Sequence, residues 1–300
     1  MTEALWNAAE IANATAGIVS GNWAVDSISI DSRSISPGAL FIALKGPNFD
    51  GHDYVTAAFK AGAAGAMIDR RPDRIAADAP VVQVDDTMAG LAALGTASRD
   101  RTSARIVAVT GSVGKTGTKE ALRAALSVQG PTAASESSFN NHWGVPLSLA
   151  QMDRDSAYGV FEIGMNHPGE IAPLSRMVRP EVSIITTVAP AHIEFFDSIE
   201  QIADAKAEIF DGMTGGTAIL NRDNTMFDRL SAAAHRANVG RVTSFGAADE
   251  SDAKLISFAA DRQGSNVEAR ISGKQIGYRL NLPGRHHIIN SLAVFAAIDA

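Results

Sequence analysis

The stretch Arg105-Ile106-Val107-Ala108-Val109-Thr110-Gly111-Ser112-Val113-Gly114-Lys115-Thr116 constrains the fold more than any other part of the chain. The unbroken apolar run ending at Val109 predicts a buried strand over Arg105–Val109, and helical spacing resumes from Lys115 to Val128. A strand that passes through a glycine-rich bend straight into a helix opens a βαβ unit, and such units build parallel sheets with crossover helices. Gly111 and Gly114 let the backbone of Thr110, Gly111, Ser112, Val113 and Gly114 crowd around phosphate oxygens with no Cβ in the way. The helix N-terminus directs a partial positive charge at the same anion. Lys115 is then placed to reach the β- and γ-phosphates of a nucleotide, and the Thr116 hydroxyl to ligate Mg²⁺. Val109 stands where the standard pattern carries a glycine, so the loop is a variant of the form Thr-Gly-Ser-x-Gly-Lys-Thr. The competing interpretation, a surface turn with a solvated lysine, does not account for the strand–loop–helix placement.

From Ala104 the chain alternates apolar strand and amphipathic helix. Strands are expected at Tyr158–Ile163, Val182–Val188, Ala218–Leu220 and Val242–Phe245, with helices near Glu170–Met177 and Ile199–Phe210. Leu255 to Leu282 suits antiparallel hairpins with turns at Gly264-Ser265-Asn266 and Ser272-Gly273, and Arg285–Ala300 has a helical pattern. The first hundred residues predict a smaller mixed α/β unit: helix Ala4–Thr15, strands Ser27–Ile30, Ala39–Leu44, Ala66–Ile68 and Val81–Val84, and helices Asp53–Ala61 and from Asp86 to about Ser98. The polar stretch Arg99-Asp100-Arg101-Thr102-Ser103 marks a boundary, giving domains 1–101 and 102–300. At 300 residues, two cores are the physical expectation. The fold class is thus α/β: a small mixed N-terminal domain followed by a P-loop ATPase-like domain with a mainly parallel sheet. The helical pattern stops at Ala300 without a cap, which suggests a truncated chain.

Composition removes several classes of function. There is no cysteine, so disulfide scaffolds, thiolate zinc sites, iron–sulfur clusters and cysteine nucleophiles are excluded. A net charge of −7 argues against a general nucleic-acid binder, because neutralising phosphates takes a basic surface. Met1 to Glu10 has no Lys or Arg to begin a signal peptide, and no apolar run approaches the ~18–20 residues that span a bilayer. The expectation is a soluble cytoplasmic protein.

A phosphate loop names a nucleotide, not a reaction. Three further polar residues lie at or beyond strand ends, where open α/β sheets bind ligands. Glu162 closes one strand and can hold Mg²⁺ by its carboxylate. His192 follows the strand at 182–188, and Lys206 lies on the next helix. Each has a plain alternative: a structural Glu, a loop His, a solvated Lys.

Taken together, these residues resemble the Mur ligase family of peptidoglycan synthesis, within it the MurF type. The likeness runs through Asp31-Ser32-Arg33, the segments Pro37 to Gly46 and Phe49 to Asp53, the phosphate loop, and Ser138-Phe139-Asn140-Asn141-His142-Trp143-Gly144-Val145-Pro146. It continues through Glu162 to Asn166, Ala191 to Glu194, Ala205 to Phe210, Asn221 to Asn224 and Leu282 to His286. The resemblance implies that Thr116 and Glu162 hold one Mg²⁺ and that His192 and a carbamylated Lys206 serve a second. It places Asn141 near the γ-phosphate, Asn290 at the adenine, and Asn140 at the substrate. At His287 a second asparagine is usual, and this chain departs from the pattern there. Ser32, Arg33, Lys45 and Gly46 are implied to receive the UDP portion of a sugar substrate, or else form an ordinary surface turn.

The implied reaction is ATP-dependent amide formation between UDP-N-acetylmuramoyl-tripeptide and D-alanyl-D-alanine through an acyl phosphate, carried out by a monomer with no nucleic-acid or membrane partner. The first domain would bind the UDP-sugar and the second ATP, and the third, Rossmann-like domain of the family would be absent, leaving little turnover. The alternatives are a MurE-type ligase adding the third stem amino acid, or a nucleotide-binding module without ligase turnover. No Asn-Lys-x-Asp guanine-reading motif supports a GTPase.

Overall fold

The structure is a computed structural model that describes residues 4–136, 139–190 and 195–300. It divides into two compact units, Met1–Thr102 with Pro146–Arg154, and Ser103–Val145 with Asp155–Ala300.

In the first unit, β1 (Trp6–Asn7) leads into α1 (Ala8–Thr15). The helix starts later than the expected Ala4 because Asn7 caps it. The Asn7 side chain accepts from the Glu10 N–H, and the Glu10 carboxylate accepts from the Asn7 N–H. Then come β2 (Ile18–Val19), β3 (Ala24–Val25), which pairs with β1, β4 (Ser27–Ser29) and β5 (Ala39–Ile42). β6 (Lys45–Gly46) and β7 (Phe49–Asp50) form a small hairpin, followed by α2 (Val55–Lys60), β8 (Gly65–Ile68), β9 (Val81–Gln83) and α3 (Thr87–Arg101). The sheet order is β2-β9-β8-β5-β4, parallel but for the edge strand β2. Phe41, Val55, Ala58, Ile68 and Val81 share its core.

Two features here depart from the sequence expectation. In the polar stretch expected to mark the boundary, Arg99–Arg101 form the last turn of α3. Basic residues suit the negative end of a helix, and Arg101 is held in place, its guanidinium 3.5 Å from the Trp6 ring centroid and its Nη1 donating to Leu5 O at 3.0 Å. The segment Pro146–Arg154 returns to this unit far along the sequence. Its partners explain the return: Trp6 Nε1 donates to Ala150 O at 2.8 Å, and Arg154 grips both Glu10 carboxylate oxygens at 2.7 Å.

The second unit comprises β10 (Arg105–Thr110), α4 (Lys115–Leu126), β11 (Thr132–Ala134), the start of α5 (Gly144–Ala150), β12 (Tyr158–Glu162), α6 (Ile171–Val178) and β13 (Val182–Ile185). It continues with α7 (Ile199–Ala207), a 3₁₀ turn Glu208–Gly212, β14 (Thr217–Asn221), α8 (Phe227–Arg236), β15 (Arg241–Gly246), β16 (Ala253–Asp261), β17 (Gly264–Ile271), β18 (Lys274–Leu280) and α9 (Arg285–Asp299). Among the described residues the strands form one sheet in the order β11-β12-β10-β13-β14-β15-β16-β17-β18, parallel up to β16 and antiparallel beyond. The α/β class with a mainly parallel sheet is therefore as expected. The chain leaves β10 for β11 and β12 on one side, then crosses to β13, β14 and β15 on the other. The end of β10 is thus the point where strand order reverses and a crevice opens. One cluster buries Val107, Val109, Leu122, Ile219, Phe245, Ile288 and Leu292, so α4 and α9 cover one face of the sheet together.

The expected turn at Gly264-Ser265-Asn266 lies two residues too late. The hairpin closes over Arg262 and Gln263, with Asp261 opposite Gly264 and the Asp261 carboxylate accepting from the Gln263 N–H at 2.7 Å. Ser272 and Gly273, with φ of 47° and 81°, form the second tight turn where the sequence placed it. Leu122 is fully buried on the helix that carries the phosphate loop. Leu122→Ala is expected to lower the stability of this unit by about 2–5 kcal/mol, read as a lower urea midpoint at unchanged slope.

Candidate active site

β10 ends at the buried Thr110, and the backbone then bends through Gly111 and Gly114, with φ of 148° and 89°. Both glycines are required by space as well as by conformation. A Cβ on Gly111 would collide with Thr186 Oγ1, and one on Gly114 with the side-chain amide of Asn290. The loop is stapled from the segment after β13: Thr186 Oγ1 donates to Val113 O at 2.6 Å, and Ser112 N–H donates to Thr187 O at 2.8 Å. The Ser112 hydroxyl donates to Ala189 O and accepts from Ala189 N–H, both at 3.0 Å. Gly114 begins α4 with no side-chain cap, so the leading N–H groups of the helix remain for an external acceptor.

Four side chains gather at this bend. Lys115 Nζ donates to Gly111 O at 2.9 Å, and burial pushes its pKa below the usual lysine value, against the pull of the Glu162 charge. Thr116 Oγ1 donates to Glu162 Oε2 at 2.7 Å, and Asn140 Nδ2 donates to Glu162 Oε1 at 2.7 Å. Glu162, only 3% exposed, has its N–H bonded to Ser135 Oγ at 3.0 Å. A cleft of about 750 Å³ opens beside these groups, lined by Lys115, Asn140, Asn141, His142, Met165 and Leu174 among others. Asn141 spends its Oδ1 on the backbone N–H groups of Trp143 and Gly144, which opens α5.

Lys206 sits in the last turn of α7, 3% exposed, its side chain with no hydrogen bond or ion pair among the described residues. Burial first, and the Lys115 charge second, push its pKa down to about 7. His192 lies outside the described residues. On α9, Asn290 abuts Gly114, and the His287 and His286 ring centroids lie 4.0 Å apart with the planes tilted by 45°, the His287 pKa lowered by burial and by that neighbour.

The expected sugar-nucleotide residues lie in the first unit. Arg33 is exposed but engaged: its Nε and Nη2 grip the Asp31 carboxylate at 2.9 and 2.7 Å, and this hydrogen bonding pulls the Asp31 pKa down to about 2. Ser32 lies between them in the turn. Lys45 is exposed in β6, and the Phe49 ring occupies the space a Gly46 side chain would need. Sequence reasoning missed Ser135 and Thr186, which hold the site without touching its opening. Thr186 was hidden in the β-branched run Ile184 to Val188, and Ser135 carried no signal at all.

A family model described as the Mur ligase middle domain matches residues 109–298, and one described as the Mur ligase family catalytic domain matches residues 24–99. The chain belongs to the Mur ligase family. Among its relatives, the UDP-N-acetylmuramoyl-tripeptide–D-alanyl-D-alanine ligase of Escherichia coli (strain K12) is 38% identical over 91% of this chain and 59% of its own length. The ligase of the same name from Rickettsia prowazekii (strain Madrid E) is 33% identical over 98% of this chain and 66% of its own. The chain therefore spans roughly three-fifths to two-thirds of these Mur ligases. Among solved structures, MurF from Acinetobacter baumannii superposes with a TM-score of 0.86 at 30% identity, covering 98% of this chain and 65% of that one. MurF from Thermotoga maritima in complex with ADP gives 0.75 at 25% identity, covering 91% and 62%. The family resemblance in the sequence and the expected fold are both borne out.

The buried Lys206 yields a pH prediction. In the unfolded chain its amine is charged up to about 10.5, and in the folded one only up to about 7. Between these values the unfolded state binds the extra proton, so the folded state gains stability as pH rises and loses it as pH falls through 7. Lys206→Met is expected to be more stable than the unsubstituted protein at pH 6.5, with the advantage shrinking steadily towards pH 10, as read by urea midpoints.

Proposed function

We propose that this chain provides the nucleotide-binding and UDP-sugar-binding parts of an ATP-dependent amide ligase of the MurF type, joining D-alanyl-D-alanine to UDP-N-acetylmuramoyl-tripeptide. The observation that carries the proposal is the Thr116–Glu162 contact beside Lys115, at the switch point of a parallel sheet and under a loop built on two obligatory glycines. Relatives named UDP-N-acetylmuramoyl-tripeptide–D-alanyl-D-alanine ligases favour that amine over the single amino acid of a MurE-type enzyme.

The residues fit a magnesium nucleotide. Among the described residues, no cluster of three or more His, Cys, Asp or Glu side chains is placed to hold a metal by itself. One carboxylate and one hydroxyl suit Mg²⁺, which keeps the rest of its shell for phosphate oxygens and water. Bound by Thr116 and Glu162, it would supply charge neutralisation at the phosphates.

In the proposed reaction the peptide carboxylate oxygen attacks the γ-phosphorus, forming an O–P bond as the bond to the leaving ADP breaks. The amine then attacks the acyl-phosphate carbonyl, a C–N bond forms, phosphate departs and the amine gives up a proton. The loop N–H groups bind and orient the phosphates, and Lys115 faces the charge that develops on the transferred group. Asn140 fixes the Glu162 carboxylate at the substrate side of the cleft, and Asn141 stands near the γ-phosphate. Asn290 lies against the loop where the nucleotide base would extend, with His287 one helical turn earlier.

Lys206 fits its expected modification for a chemical reason. With a pKa near 7, much of its amine is neutral at physiological pH. A neutral amine adds to CO₂, forming an N–C bond and releasing a proton, and the carbamate replaces a cation with an anion. His192 completes this second metal position in the proposal. Ser32, Arg33, Lys45 and Gly46 receive the UDP portion, with Arg33 released from Asp31 as a phosphate replaces it. The family likeness also carries the expectations of a cytoplasmic location and a monomer. No helix among the described residues is long and apolar enough to cross a membrane.

Calorimetry with Mg·ATP tests the site directly. Lys115→Ala is expected to weaken binding by about 10²-fold, and unchanged affinity would refute the proposal. In the presence of the UDP-sugar tripeptide and ATP, hydroxylamine should trap an acyl hydroxamate, which a non-ligating nucleotide module would not form. For Lys206, ¹³C-bicarbonate should give a carbamate carbon resonance that disappears in Lys206→Ala.

A further inference from the structure

A second buried lysine has no part in the proposed reaction. Lys119 is 0% exposed and lies one helical turn beyond Thr116 on α4. Lysines are almost never fully buried unless paired. This one donates from Nζ to Ser135 O at 2.6 Å and faces the half-exposed Glu120 carboxylate at 3.0 Å. Ser135 follows the last residue of β11, and its own N–H donates to Val160 O of β12 at 3.1 Å. Its hydroxyl accepts from the N–H of Glu162, the last residue of β12. Glu162 in turn accepts from Thr116, back on α4.

These bonds close a ring: α4 to Ser135 through Lys119, Ser135 to Glu162, and Glu162 to α4 through Thr116. The two ends of the ring on α4 are a single turn apart. We infer that Lys119 and Ser135 are positioning residues that set the Glu162 carboxylate against the Thr116 hydroxyl and so tune the affinity of this pair for a divalent cation. The inference rests on the reading of Thr116 and Glu162 as the Mg²⁺ pair.

Glu162 is still paired with Val109 of β10, but on its other side the β11 ladder has already ended, and the Glu162 N–H relies there on the Ser135 hydroxyl. Thr116 sits on a separate element, α4, and meets that strand end through its hydroxyl. Without Ser135 the Glu162 N–H loses its acceptor. Without Lys119 the strand end that carries Ser135 loses its tie to α4. Either loss lets the carboxylate drift, and partners that orient metal ligands typically matter 10–100-fold for metal affinity. A role confined to packing α4 would instead weaken the phosphate loop as a whole.

The test separates magnesium from nucleotide. ATP affinity is measured by calorimetry in EDTA and at rising Mg²⁺, for the unsubstituted chain, Ser135→Ala and Lys119→Met, with folding checked by circular dichroism. The expected result is EDTA affinity within about twofold of the unsubstituted chain and a Mg²⁺ half-saturation point raised about 10-fold or more. Ser135→Ala removes only a hydroxyl and decides the matter alone if Lys119→Met does not fold. An unchanged half-saturation point in Ser135→Ala, or an equal loss with and without Mg²⁺, overturns the inference. No Mg²⁺ effect in the unsubstituted chain would overturn the reading of the site itself, and the inference with it.

Discussion

A carboxylate buried at the end of a strand must find hydrogen-bond donors inside the protein to replace the water it loses. Glu162 meets that demand with the Thr116 hydroxyl and the Asn140 amide, while its backbone N–H donates to the Ser135 hydroxyl. The carboxylate's donors come from α4 and from the segment before α5, and the acceptor for its N–H comes from the end of β11. One residue therefore ties together three otherwise unrelated pieces of chain. The phosphate loop inherits its orientation from this arrangement, because α4 cannot move without taking Thr116 away from the carboxylate.

The lysines around the site divide by what surrounds them. Lys115 has a carboxylate within electrostatic reach and a carbonyl to donate to, while Lys206 is buried with another cation as its charged neighbour. In the first arrangement the nearby carboxylate offsets part of the cost of burying a cation. The second favours losing the charge. Lys119 has acceptors on two sides, the Ser135 carbonyl and the Glu120 carboxylate. Three residues of one type thus sit in three different environments.

The parallel fold was legible because Ile106 to Val109 and the glycines after it leave few alternatives. Glu162 was legible for a related reason, since a polar residue closing an apolar strand needs an explanation. Asn140 was legible only through family likeness, and its bond to Glu162 not at all, because no spacing rule links residues on separate loops. The helix α8 escaped notice although Phe227, Leu230 and Ala234 follow helical periodicity, the segment being otherwise polar or alanine. The hairpin at Arg262-Gln263 was misplaced because the glycine beside it drew attention from Asp261, whose side chain makes the turn. Ser135 could not be found, since a serine after two alanines gives no hint that it will meet a strand end in space.

The return of Pro146–Arg154 to the first unit bears on how the protein is made. A ribosome that has released only the first hundred residues has produced a Trp6 indole and a Glu10 carboxylate whose partners, Ala150 and Arg154, do not yet exist. The N-terminal portion cannot finish its core in simple vectorial order. It must wait for a nine-residue piece threaded through the neighbouring unit's sequence, so severing the gene at the apparent boundary would yield a fragment missing part of itself.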